Sequence, residues 1–290
     1  MHPPWLVIGG DSMIGAAIVA RLREQGRRIL ATTRRRDALG DELRHLELAA
    51  PQPFAIPWNE PFVALVAAGQ TSLQACHDHP DQTWMVNVAA IKQVAAWLRS
   101  CGGFVVFLST NLVFDGQLAA RSEDDPTCPN SEYGRQKRDA EEFLLQNGPA
   151  AIVRLTKVFG PRPQLLQKWH AALRTGQSIS AFTDLNCAPM LLADVAPAVQ
   201  CIGDRHAEGI WHLSGSRDIS YLQMARVALD VWRHSADRIR ICTAADQGIL
   251  APHRCRYTAL NTSKARRELG WAPRDADLVL RDLACSVQSE

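Results

Sequence analysis

Short, wholly apolar runs alternate with longer stretches of helical periodicity through the first half of the chain. Trp5-Leu6-Val7-Ile8 is apolar at every position, as expected of a strand covered on both faces. From Ile14 to Glu24 the apolar residues Ile14, Ala17, Ile18 and Leu22 share one helical face, and Gly26 ends the pattern. Arg28–Thr32 and Phe62–Ala67 read as the next strands. Trp84–Arg99 reads as an amphipathic helix closed by Cys101-Gly102-Gly103, and Phe104–Leu108 as a strand. Tyr133–Gln146 is a charged helix and Ala151–Leu155 a further strand. This alternation predicts an α/β fold with a doubly wound parallel sheet, whose ligands sit beyond the carboxyl ends of the strands.

After residue 160 the pattern loosens. Gly160-Pro161-Arg162-Pro163 is a break, Leu165–Arg174 and Ser220–Val231 read as helices, and Gly209–Leu213 reads as a strand. The expected division is a Rossmann-type domain over 1–160 and a smaller substrate-binding lobe over 161–290, with segments around 188–214 returning to the first domain.

Composition adds mainly exclusions. The 290 residues are 47% hydrophobic and 21% charged with a formal net charge of +2, which fits a packed globular protein without a field for nucleic acid or anionic membrane. The start lacks a leader pattern and no apolar run reaches the roughly 18 residues of a spanning helix, so a cytoplasmic location is expected. The eight cysteines form no C-x-x-C pair and read as reduced thiols, with no metal site. His77-Asp78-His79 reads as a solvated loop, Glu123-Asp124-Asp125-Pro126 as a surface turn that could border a substrate, and Trp169, Trp211 and Trp232 as core.

Candidate chemistry follows the strands. The first strand runs into Gly9-Gly10-Asp11-Ser12-Met13-Ile14-Gly15, a turn that offers helix N–H groups to a pyrophosphate. Ser12 stands where such loops usually have a glycine, and it adds a Cβ at a point of close approach. The second strand ends Thr33-Arg34-Arg35, with arginines suited to a 2′-phosphate, so NADP(H) is favoured over NAD(H). Ala67-Ala68-Gly69 lets the chain pass close to a ring or a ribose. Asn87 stands in an apolar context, either bonded to nearby backbone or at the site. Ser109-Thr110-Asn111 ends the strand before the charged helix, where Tyr133 and Lys137 stand one turn apart. An ammonium so placed is expected to lower the phenol's pKa.

These motifs resemble the extended short-chain dehydrogenase/reductase family, and within it the dTDP-4-dehydrorhamnose reductase group. The likeness rests on Ser109-Thr110-Asn111-Leu112-Val113-Phe114-Asp115-Gly116, on Pro129 with Tyr133-Gly134 and Lys137, and on Arg154 with Val158-Phe159-Gly160. Ala188-Pro189-Met190 with Asp194-Val195-Ala196, Gly209–Gly215, and Arg254 with Leu260-Asn261-Thr262 and Lys264 extend it over nearly the whole chain. The resemblance implies a keto reduction on a nucleotide-linked sugar. Tyr133 would give the proton, Lys137 would bond the nicotinamide ribose, and Thr110 would hold the substrate oxygen. Gly9, Asp11, Ser12, Met13, Ile14, Gly15, Thr33, Arg34, Arg35, Ala67, Ala68, Gly69, Asn87 and Val158 would line the cofactor, and Ser109, Asn111 and Arg254 the substrate. Asn111, Met190 and Cys255 depart from the group's pattern on the substrate side. An epimerase, or a non-catalytic NADP-binding subunit like the methionine adenosyltransferase β subunit, is the alternative. A monomer or a homodimer is expected.

Overall fold

The computed structural model describes residues 2–38, 40–250 and 254–288. Its centre is a seven-stranded sheet. The strands are β1 (Trp5–Ile8), β2 (Ile29–Thr33), β3 (Leu43–His45), β4 (Phe62–Val66), β5 (Gly103–Thr110), β6 (Ala150–Leu155) and the strand Gly209–Leu213. They lie in the order Gly209–Leu213, β6, β5, β4, β1, β2, β3. β1 pairs in parallel with β2 and β4, so Leu6 stands between Leu30 and Ala64. Chain order therefore reverses at β1, and the loops after β1 and β4 flank the switch point where α/β sheets of this type hold ligands. This is a Rossmann-type fold, and every residue of β1, β2 and β4 is buried, as the unbroken apolar runs of β1 and β4 require.

The helices that frame the site are α1 (Met13–Glu24), α2 (Leu73–Asp78), α3 (Pro80–Trp84), α4 (Ala90–Ser100) and α5 (Glu132–Gln146). Two departures from the sequence reading matter. The single helix expected over Trp84–Arg99 is α3 and α4 joined by a π-helical turn, Met85–Ala89. Apolar periodicity over a few residues does not register one extra residue in a turn. The expected loop at His77-Asp78 is helical, because Ser72 caps α2 by accepting from Ala75 N and the Gln74 amide donates to Asp78 one turn on.

The chain divides into two compact units. One takes the chain up to Val113 with Thr127–Arg154 and Ala196–Trp211. Within it, Asp204 accepts from the Trp5 indole at 3.0 Å and pairs with Arg27 at 2.8 Å, tying residues 196–211 to β1. The other takes Phe114–Pro126, Leu155–Val195 and the chain from His212 onward. Its core joins Leu166, Trp169 and Leu173 to Leu229, Trp232 and Leu283. Trp169 and Trp232 are thus core, and Trp211, 3% exposed, is buried in the first unit. Among the described residues, no helix is long and apolar enough to cross a membrane.

Candidate active site

The loop after β1 is built by close approach. Gly9 has φ +85°, and a Cβ there would stand 2.8 Å from Ala68 Cβ. A Cβ on Gly15 would lie 2.1 Å from the Gly9 carbonyl oxygen, so only glycine lets α1 start this close to β1. Thr32 fixes the loop to β2: its hydroxyl accepts from Gly9 N at 2.9 Å and its carbonyl from Gly10 N at 2.8 Å.

Ser12 does not spoil this loop. Its backbone is extended (φ −71°, ψ 158°), a conformation that asks for no glycine. Its hydroxyl donates to the Gly9 carbonyl at 2.7 Å and accepts from Gly15 N at 3.1 Å, which makes it the N-cap of α1. The N–H groups of Met13 and Ile14 then have no partner among the described residues. They stand at the positive end of the helix dipole beside a chain stripped of side chains, an arrangement that fits a pyrophosphate.

At the end of β2 the buried Thr33 hydroxyl donates to the Asp11 carboxylate at 2.9 Å and accepts from Arg35 N at 3.0 Å. Thr33 is thereby engaged within the protein and orients Asp11. Arg35 Nε lies 4.0 Å from the same carboxylate, and Arg34 and Arg35 are both exposed.

The second half of the site is the docking of α5 on the end of β5. Ser131 caps α5 by accepting from Gly134 N at 3.2 Å. A Cβ on Gly134 would meet the Leu112 carbonyl oxygen at 2.1 Å, so the helix start is pressed against the chain leaving β5. Lys137 Nζ donates to the Leu108 carbonyl at 2.5 Å and sits 3.8 Å from the centre of the Phe107 ring. Thr110, 8% exposed, accepts from Leu112 N at 3.2 Å, with Asn111 Oδ1 3.5 Å away.

Electrostatics at this end differ from the expectation of a lowered phenol pKa. Burial raises the Tyr133 pKa well above its ordinary value, and Cys76 adds to the rise. Burial pulls Lys137 down to about 7, with Glu141 acting in the opposite direction. Desolvation outweighs the pairwise attraction, and the ammonium is aimed at the Leu108 carbonyl.

Ser109 is also placed differently from the substrate contact expected of it. Its hydroxyl donates to Glu141, which in turn accepts from Arg154 Nη2 at 2.7 Å. All three side chains are buried, so Ser109 belongs to an internal charge cluster behind the strand end. Asn87, 3% exposed on the π turn, accepts from Gln70 N at 2.8 Å and donates to Gln70 O at 2.9 Å. It holds the loop that carries Ala67, Ala68 and Gly69, and its amide is occupied by protein groups. Of the two readings left open for Asn87, the structure supports the bond to backbone.

The structure thus brings Gly9, Asp11, Ser12, Met13, Ile14, Gly15, Thr33, Arg34, Arg35, Ala67, Ala68, Gly69, Thr110, Asn111, Tyr133 and Lys137 into one unit. Val158, half-buried opposite Met190, and the half-buried Arg254 belong to the other. In that second unit Glu123 is less of a surface residue than its sequence suggests: it accepts from His212 N at 3.2 Å, and burial raises its pKa. Sequence reasoning overlooked Thr32, Gln136, Glu141 and the Leu108 carbonyl. A polar side chain just before Lys137 is the only sequence signal for Gln136, and a backbone carbonyl leaves no signal at all.

Comparison with known proteins places the chain. A Streptomyces antibioticus protein named as a probable dTDP-4,6-dihydroxy-2-methyloxan-3-one 4-ketoreductase is 28% identical over 287 residues, covering 96% of this chain and 93% of its own. The methionine adenosyltransferase 2 subunit beta of Xenopus laevis is 25% identical over 274 residues, covering 90% and 81%. A Bacillus anthracis dTDP-4-dehydrorhamnose reductase, solved in complex with NADP, shares the fold with a TM-score of 0.80 at 16% identity over 98% of each chain. The model of the RmlD substrate binding domain matches residues 4–288, and the chain belongs to that family.

Proposed function

We propose that the chain is an NADPH-dependent reductase of a keto group, the 4-keto group of a nucleotide-linked deoxysugar. The observation that supports this reading most is the seating of α5 on the end of β5, with Lys137 on the Leu108 carbonyl and Gly134 against Leu112. That seating gathers Thr110, Tyr133 and Lys137 at the carboxyl ends of the strands, where this fold works on ligands. The Streptomyces relative, named as a probable ketoreductase of a dTDP-linked compound, supports the substrate class.

NADPH, when bound, would supply the hydride. The Met13 and Ile14 N–H groups would hold its pyrophosphate, and the exposed Arg34 and Arg35 its 2′-phosphate. Tyr133 holds a proton that burial keeps on the phenol across ordinary pH, and releases it to the carbonyl oxygen as negative charge builds there. Thr110 turns its hydroxyl hydrogen from Asn111 to the same oxygen. Lys137 keeps one N–H on Leu108 and would offer the others to the nicotinamide ribose. Asn111, next to Thr110 at the end of β5, would face the sugar nucleotide.

Fluorescence titration with NADPH and NADH, followed by NADPH consumption over a panel of nucleotide-linked keto sugars, tests this. Tighter NADPH binding with turnover is expected, and the pair Arg34→Ala, Arg35→Ala should weaken NADPH and leave NADH unchanged. Failure to bind either dinucleotide would overturn the reading. The Xenopus relative favours one second reading, a dinucleotide-binding partner of another enzyme. NADPH binding without turnover, together with a co-purifying protein, would point there.

A further inference from the structure

Between Tyr133 and Lys137 on α5 stands Gln136, fully buried. Its oxygen accepts from Asn87 Nδ2 at 2.8 Å. Its nitrogen donates to Thr83 Oγ1 at 2.9 Å and lies 3.2 Å from the Pro80 carbonyl and 3.4 Å from Glu132 Oε1. The orientation of these amides follows from one backbone group. Gln70 N–H lies in a loop with no ladder partner and needs an acceptor, so Asn87 presents its oxygen there. The Asn87 nitrogen then faces Gln70 O, Cys76 Sγ and Gln136. Gln136 must answer with its oxygen, which turns its own nitrogen to Thr83 and Pro80. Each amide is held in one orientation by the next, and the path joins three segments far apart in sequence.

The two ends of this path are the two halves of the site. At one end is α5, which carries Tyr133 and Lys137. At the other is the loop 67–70, whose Ala68 packs on Gly9 so closely that a Cβ there would stand 2.8 Å away. The π turn at Met85–Ala89 presents Asn87 to both, and such turns recur where a helix is shaped for function.

We propose that Gln136 is a positioning residue which, through Asn87, locks the dinucleotide-side loop 67–70 to the helix of the proton donor. This rests on the reductase reading for what the loop binds, but the lock itself does not depend on it.

The test uses the full chain with Gln136→Met, which keeps length and removes both amide functions. Hydrogen exchange of the Gln70 amide, followed by NMR, is expected to quicken about tenfold, the scale of one lost hydrogen bond, while β4 amides stay as in wild type. The NADPH Kd is expected to rise about fivefold with kcat at saturating NADPH within about twofold, because the loop is loosened and Tyr133 and Lys137 remain. General destabilisation would lower the Tm without that split. Should Gln136→Met not fold, Thr83→Val removes the partner of the Gln136 nitrogen and is expected to give the same pair of changes. Wild-type exchange at Gln70, or faster exchange with an unmoved NADPH Kd, would overturn the role of Gln136. If the wild-type chain itself binds no NADPH, the reductase reading falls, and the exchange rate at Gln70 still decides whether the lock exists.

Discussion

At Tyr133 and Lys137 burial acts on two groups in opposite senses: it holds the proton on the phenol and eases its loss from the ammonium. Tyr133→Phe deletes the proton donor alone. Turnover is expected to fall by about 10²-fold or more, with the NADPH Kd unchanged, measured by single-turnover kinetics and titration. Lys137 gives a stability prediction. Its pKa is near 7 folded against an ordinary 10.5, so between those values the unfolded chain binds more protons. Its contribution to stability therefore rises with pH from about 7 toward 10.5. Urea midpoints of wild type and Lys137→Met, compared from pH 7 to pH 9, should show wild type gaining relative to the variant as pH rises. A constant difference would show that Lys137 is not desolvated. The identities and spacing of these two residues were legible in the sequence. Their protonation was not, because desolvation depends on what the rest of the chain stacks over them.

Among the elements, the start of α5 carries the most constraint. Ser131 supplies its cap, and Gly134 lets it close on Leu112. Gly134→Ala puts a methyl group into a backbone carbonyl that cannot move without shifting β5 or the helix. A loss of about 1–3 kcal/mol is expected, the usual cost of overpacking, together with a larger fall in kcat than in NADPH affinity. Denaturant unfolding and kinetics check both parts, and full activity in the alanine variant would mean that the seating is not needed. The strands and helix faces of this half were readable from apolar runs and periodicity. The π turn was not, and Asn87 on it pairs with Gln70 and Gln136, contacts 17 and 49 residues away in sequence.

On the scale of the molecule, the buried cluster of Ser109, Glu141 and Arg154 fastens α5 to the strands beneath it. Glu141→Leu leaves the Arg154 charge, 2% exposed, without its carboxylate, and a loss of about 3–5 kcal/mol is expected in denaturant unfolding. A loss below about 1 kcal/mol would mean that the pair is no better than an exposed one. The chain sequence alone determined the parallel sheet, the glycine turn after β1, the Tyr133–Lys137 pair and the family. Each of these is a local pattern: residue type against period, or two side chains one helical turn apart. Only the tertiary structure decided that Ser12 is a helix cap, that Ser109 serves a charge cluster, and that Asn87 bonds to both Gln136 on α5 and the backbone of Gln70. A polar side chain carries no mark of its partner in the sequence, and its role is set by which donor or acceptor the fold buries beside it.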